Sequence, residues 1–175
     1  NTLQSERLRT TVARAAVSPY YADVFRQHNL RPDDIRTVDD IRRIPPTTKQ
    51  DLRAGYPFGL LAVPKRQCIR LHCSSGTTGN PTVIVHTRRD LDTWANLVAR
   101  SMFTAGVRSG DIFQNICGYG LFTGGLGFQY GAERLGALTI PAGAGNTRRQ
   151  IKLMRDYGTS VVHAIPSYLP KLHQG

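Results

Sequence analysis

The six residues Ser74-Ser75-Gly76-Thr77-Thr78-Gly79 carry four hydroxyls and two glycines, with no bulky, acidic or basic side chain. Hydroxyls donate hydrogen bonds without bulk, and glycines let backbone N–H groups curl around an anion. Such a stretch can hold a phosphate chain, and it equally suits an ordinary hairpin tip. It is not a Walker loop: Gly76 and Gly79 have two residues between them rather than four, and Asn80-Pro81-Thr82 follows where Lys-Ser/Thr should stand. Gly118-Tyr119-Gly120 is not a dinucleotide fingerprint, because Thr123 takes the place of its third glycine. His72 and His86 flank the hydroxyl-rich stretch without an acid or nucleophile beside them, which marks them as structural. Cys68, Cys73 and Cys117 are odd in number and irregular in spacing. They read as reduced thiols, not as disulfides or a zinc set, and no metal site is expected.

Strands must hold that stretch. Gln67–Cys73 alternates, with Ile69, Leu71 and Cys73 on one face, and Thr82–Val85 is rich in β-branched residues. Together they predict a hairpin with the small-residue run at its turn. Upstream, apolar residues recur at three to four over 3–17, and Ser18-Pro19 breaks that helix before a second one carrying Tyr21, Val24 and Phe25. Thr37-Val38-Asp39-Asp40 and Thr48-Lys49-Gln50-Asp51 have the form of capping boxes, the first opening a short helix with Ile41 and Ile44 inside. Downstream, Trp94, Val98, Met102 and Ala105 mark a helical core face. Strands at 111–116, 137–140 and 160–165 then alternate with helices at 122–135, loosened by glycines, and 146–157. Strand–helix alternation implies a parallel sheet, whose ligands sit beyond the carboxyl ends of its strands. Gly118–Thr123 and Ala142–Gly145 fall there. The expected fold is therefore α/β. A helical N-terminal segment, 1–66, with little core of its own, precedes a β-hairpin and part of a parallel α/β sheet, 67–175.

The chain has 175 residues, 23 Lys+Arg against 12 Asp+Glu, and a net charge of +11. Its basic pairs, Arg42-Arg43, Arg88-Arg89 and Arg148-Arg149, stand at helix ends without interleaved aromatics. That pattern suits a basic surface and not a nucleic-acid groove. No stretch approaches the ~20 apolar residues of a membrane span. The polar start shows no secretory leader, so a cytoplasmic protein with no membrane partner is expected.

Ser74 through Thr82 resembles the phosphate loop of the acyl-adenylate-forming enzymes, a superfamily that includes acyl-CoA synthetases and luciferases. Thr82, where most members have Lys, is similar to the phenylacetate–CoA ligase family. Thr47–Arg53, Tyr56–Leu60, Gly118–Gly127, Tyr130–Gly136 and Gly145–Thr147 extend the likeness over nearly the whole chain. The resemblance implies an AMP-forming acid–thiol ligase. An aryl-acetic acid such as phenylacetate attacks the α-phosphate of ATP, and coenzyme A then displaces AMP, with Mg2+ as ion and aromatic catabolism as setting. It assigns Ser74, Ser75, Gly76, Thr77, Thr78, Gly79 and Thr82 to the ATP phosphates. Lys49 becomes the candidate cation in place of the lysine that Thr82 replaces, although a solvated helix-start lysine fits it equally. Tyr119, Phe122, Gly124 and Gly125 fall in the region of the aryl pocket. Cys117 stands where the likeness expects an aromatic residue, which leaves the preferred acid open: a hydroxylated or amino-substituted aryl acid competes. The remaining catalytic residues would follow Gly175, so the chain reads as an N-terminal fragment of the large domain, inactive alone. A homodimer is allowed as the oligomer. A non-catalytic binding or assembly module is the competing expectation.

Overall fold

Ser18 sets the first corner of the chain. Its hydroxyl donates to Ala15 O (2.7 Å) at the end of α1 (Thr2–Ala15) and accepts from Tyr21 N (3.4 Å) at the start of α2 (Pro19–Gln27). Proline suits the first helical position because its missing N–H would be unpaired there. The computed structural model describes residues 2–74 and 79–174, and the chain divides into two units, Asn1–Thr87 and Arg88–Gly175.

In the first unit, Val12, Phe25 and Ile35 form a buried cluster, with Leu8, Ala16, Tyr21, Leu30 and Ile44 against it. The helical segment thus has a core of its own, where the sequence pointed to little. Both capping boxes form. Asp40 accepts from Thr37 N (2.8 Å) at the head of a 3-10 turn, Val38–Arg43, and Asp51 accepts from Thr48 N (2.7 Å) at the head of α3 (Lys49–Ala54). The bond from Thr37 N holds the Asp40 carboxyl below its ordinary pKa, and the Thr48 hydroxyl (2.6 Å), then Thr48 N, does the same for Asp51. Ile44 reaches the core but Ile41 is exposed: Ile44 lies past the turn in extended backbone (φ −90°, ψ 124°), so it no longer shares the face of Ile41. The hairpin follows as β1 (Cys68–Cys73) antiparallel to β2 (Val83–Thr87). Its alternation is present, but with the other side covered: His72 is 2% exposed, whereas Ile69 and Leu71 are open. A period of two says that the faces differ; it does not say which one the rest of the unit covers.

In the second unit, α4 (Arg88–Thr104) buries Leu91, Ala99 and Met102, while Ala105, expected on that face, is exposed beyond its end. A parallel sheet in the order β4-β3-β5 is built from β3 (Ile112–Asn115), β4 (Leu138–Ile140) and β5 (Val161–His163). Helices α5 (Gly124–Leu135) and α6 (Thr147–Tyr157) connect the strands, and α7 (Leu169–His173) follows. Met102, Val107, Phe113, Ala132 and Ala137 are its buried core. The glycines of α5 do not loosen it. A Cβ on Gly127 would meet the Trp94 ring at 2.5 Å and one on Gly131 the Val98 side chain at 2.6 Å, so bare Cα atoms let α5 lie close on α4. Among the described residues no helix is long and apolar enough to cross a membrane.

Asp111 and Ser160 clamp the sheet's amino end. The carboxylate accepts from Arg108 N (2.6 Å) and from the Ser160 hydroxyl (2.7 Å), which itself accepts from Ile112 N (3.0 Å). The bond from Arg108, then that from Ser160, holds the Asp111 carboxyl below its ordinary pKa. A lowered folded value means the stabilisation is complete above the unfolded value of 3.8 and is lost as pH falls through the lower one. Asp111→Asn is therefore expected to be less stable than the parent at neutral pH. The gap should close on acidification below pH 3.8, read as urea midpoints across pH.

Candidate functional site

The two candidate regions lie one in each unit. In the first, the hairpin narrows to a neck at Ser74 and Thr82. Ser74 N donates to Thr82 O (3.0 Å), and Thr82 N donates to the Ser74 hydroxyl (3.0 Å). These two amides are committed to closing the loop, so neither is available to an anion. The Ser74 hydroxyl, accepting one bond, still has its own proton to give. Gly79 is exposed with φ +111°, a backbone conformation that side-chain-bearing residues rarely adopt. Ser75, Gly76, Thr77 and Thr78 lie outside the described residues. Lys49 is exposed at the first position of α3. His72 and His86 meet edge to face, ring centres 5.5 Å apart, on the covered side of the hairpin.

In the second unit, the chain leaves β3 for β4 on one side and returns to β5 on the other. Connections that part in this way open a crevice at the carboxyl end of the central strand, where α/β sheets take ligands. Asn115, the last residue of β3, is fully buried there. Its Nδ2 donates to Gly125 O (2.7 Å), and its Oδ1 accepts from Cys117 N (3.2 Å). The same oxygen lies 3.0 Å from Nδ1 of His163, the last residue of β5. The other ring nitrogen, Nε2, is 3.9 Å from Cys117 Sγ. Phe128 stacks on the imidazole with centroids 3.8 Å apart. Burial lowers the His163 pKa and raises that of the Cys117 thiol, so both groups are held neutral.

Tyr119 belongs to this crevice. Its ring lies over Gly143, its hydroxyl is shut from solvent with no partner at hydrogen-bonding geometry, and burial raises its pKa. Phe122 is 67% exposed and leans on Gly124. Gly125 is closely packed, because a Cβ there would overlap the Gly118 carbonyl. Its small size serves the approach of α5 to the 117–118 turn.

A buried amide network joins β3 to α6. Gln114 Nε2 donates to Gln150 O (3.1 Å) and Oε1 (2.8 Å), and its own Oε1 accepts from the Thr159 hydroxyl (2.9 Å). Gln150 Nε2 donates to Gly143 O (2.8 Å) and Gly145 O (3.0 Å), fixing the turn after β4. Asn146 caps α6 by accepting from Arg149 N (3.1 Å). Gln150→Leu removes the two donors and one acceptor. Each unmatched buried group costs about 1–3 kcal/mol, and the exposed Gly145 carbonyl can turn to water. A net loss of about 3 kcal/mol is expected, read as a lowered urea midpoint with unchanged slope.

The sequence reading passed over Asn115, His163 and Gln150. Asn115 and Cys117 stand two apart, on one side of extended chain, which was a readable sign. His163 comes from a strand 48 residues on, and nothing local pairs it with either.

No protein-family model matches the chain. Over 167 residues, 95% of the chain, it is 50% identical to the phenylacetate-coenzyme A ligase of Escherichia coli (strain K12), covering 38% of that protein. The Pseudomonas putida protein of the same name is 48% identical over 170 residues, 97% of this chain and 39% of its own. The Thermus thermophilus one is 46% identical over 171 residues, 97% of this chain and 38% of its own. The fold matches crystal structures of 2-hydroxyisobutyryl-CoA ligase. In the open conformation, in complex with 2-HIB-AMP and CoA, it is 28% identical with a TM-score of 0.86. The overlap covers 97% of this chain and 38% of that one. In the thioesterification state it is 31% identical with a TM-score of 0.87, covering 97% and 38%. The chain spans under two fifths of the length of the curated relatives from Escherichia coli and Thermus thermophilus, 38% of each. Along that shared stretch the chain is similar in sequence to phenylacetate-coenzyme A ligases and in fold to 2-hydroxyisobutyryl-CoA ligase.

Proposed function

We propose that the protein is an AMP-forming ligase that activates an aryl-acetic acid, phenylacetate, with ATP and passes the acyl group to coenzyme A. The reading rests above all on the 50% identity to a phenylacetate-coenzyme A ligase over 95% of the chain, a span wide enough to include both candidate regions. A carboxylate acylates poorly because oxide is a poor leaving group, whereas AMP leaves readily. The loop Ser74–Gly79 and Thr82 take the phosphates, and their hydroxyls and tip amides meet the charge that grows as pyrophosphate departs. Lys49, exposed at the head of α3, supplies the positive charge that Thr82 lacks. Tyr119 forms part of the wall against the acyl group.

Magnesium comes with the nucleotide in this reading. Among the described residues no three or more His, Cys, Asp or Glu gather to hold a metal. Magnesium needs few protein ligands when phosphates supply the rest. The test is pyrophosphate exchange into ATP by the full-length protein. Exchange should depend on phenylacetate, and adding coenzyme A should release AMP; release of ADP would end the adenylation reading.

The unpartnered Tyr119 hydroxyl favours a second reading, a ring-hydroxylated or amino-substituted aryl acid. A buried donor left unmatched discriminates against a substrate lacking the complementary group. Faster exchange with 4-hydroxyphenylacetate than with phenylacetate would select it.

A further inference from the structure

We propose that Cys117, His163 and Asn115 form a nucleophilic set in which the Cys117 thiol accepts an acyl group from an activated acyl donor at the carboxyl end of the sheet. The inference deepens the ligase reading and rests on its acyl-activating chemistry. Its geometry stands independently.

Asn115 fixes the proton on the imidazole. Its Nδ2 is spent on a carbonyl, Gly125 O, so the oxygen end of the amide must face the ring. An amide oxygen only accepts, so His163 Nδ1 carries the hydrogen and donates it. That leaves the lone pair on Nε2, turned to Cys117 Sγ at 3.9 Å. The thiol also has the His163 carbonyl oxygen within 4.0 Å, so it has one backbone acceptor and one base in reach. A nucleophile beside a base, with the base oriented by a third group, is the arrangement that activates thiols. The Phe128 ring stacked on the imidazole limits its rotation. The Tyr119 hydroxyl, shut from solvent, lies near enough to Cys117 and Asn115 to interact with both. It is a spare donor for a carbonyl oxygen.

Burial keeps the thiol protonated, so the set does not hold a standing thiolate. The base must act during attack. Sγ bonds to the carbonyl carbon of a carboxylic–phosphoric mixed anhydride as its proton passes to His163 Nε2. The bond from that carbon to the bridging oxygen breaks, and the phosphate monoester leaves with the electron pair. The products are a thioester on Cys117 and, from an acyl adenylate, AMP. No oxidant or further reactant is required.

The test uses the full-length protein and chemically prepared phenylacetyl adenylate, without ATP. Hydroxylamine-labile acylation is mapped by peptide mass spectrometry over time. Cys117 should acylate faster than Cys68 and Cys73, and His163→Gln should slow it about 10²-fold or more. Added imidazole should restore part of the rate in His163→Gly, which a merely structural role would not allow. Equal labelling of the three cysteines, or a rate indifferent to His163→Gln, overturns the proposal. Should either His163 variant fail to fold by circular dichroism, the comparison of the three cysteines in the parent still decides. Pyrophosphate exchange on the same sample reads the ligase function separately: exchange without Cys117 acylation defeats the thiol set alone, and acylation without exchange defeats adenylation alone.

Discussion

Alanine at Ser75, Thr77 and Thr78 together is expected to cut phenylacetate-dependent pyrophosphate exchange by about 10²–10³-fold in the full-length protein. One donor aimed at charge developing in a transition state is worth that much, and donors acting as one unit do not add. The neck makes the experiment interpretable. Ser74 and Thr82 close it through the Ser74 hydroxyl and three backbone groups, none of which the triple variant changes. The hairpin should therefore persist, and the urea midpoint should stay near that of the parent. The loss should appear in kcat, with the KM for phenylacetate little moved, because the loop serves the departing pyrophosphate and not the acid. A variant that exchanges at the parental rate would show that the hydroxyls are only a hairpin tip. Thr82→Lys is a useful companion, since the neck uses only the backbone of that residue.

Gly125→Ala is expected to be about 2 kcal/mol less stable than the parent, while its neighbour Gly124→Ala is near neutral. Both changes gain up to about 1 kcal/mol of helix propensity. They differ in what the new methyl meets. At Gly124 it meets the Phe122 ring at 3.1 Å, and that side chain is exposed and free to turn away. At Gly125 it meets the Gly118 carbonyl, and backbone cannot turn away without moving α5 or the 117–118 turn. Overpacking of that kind costs about 1–3 kcal/mol. Moving α5 also moves Gly125 O, the acceptor that holds Asn115, and with Asn115 the imidazole of His163. Misplacing a reacting group by about 1 Å can cost ~10²-fold. A fall of that order is expected in Cys117 acylation by phenylacetyl adenylate, and urea unfolding checks the stability half.

Local pattern was enough for the elements. The two capping boxes, the Ser18-Pro19 corner and the parallel strands all stand where propensity and periodicity put them. Each depends on residues within a few positions of one another, which is the range over which sequence spacing carries information. The glycines of α5 were visible as glycines but not as packing devices. Their purpose depends on Trp94 and Val98, which lie on another helix.

Sequence by itself determined the α/β class, the hairpin around a run of hydroxyls and glycines, and the likeness that names a ligase family, because all three are written in order and spacing along the chain. Only the tertiary structure decided that His72 and not Leu71 is covered, that Phe122 faces outward, and that Ser74 and Thr82 spend their amides on each other. It alone joined Asn115 to His163 and Gln114 to Gln150. Those pairs are made by neighbouring strands and a crossing helix, and a contact between residues 36 or 48 apart leaves no period in a single sequence from which to read it.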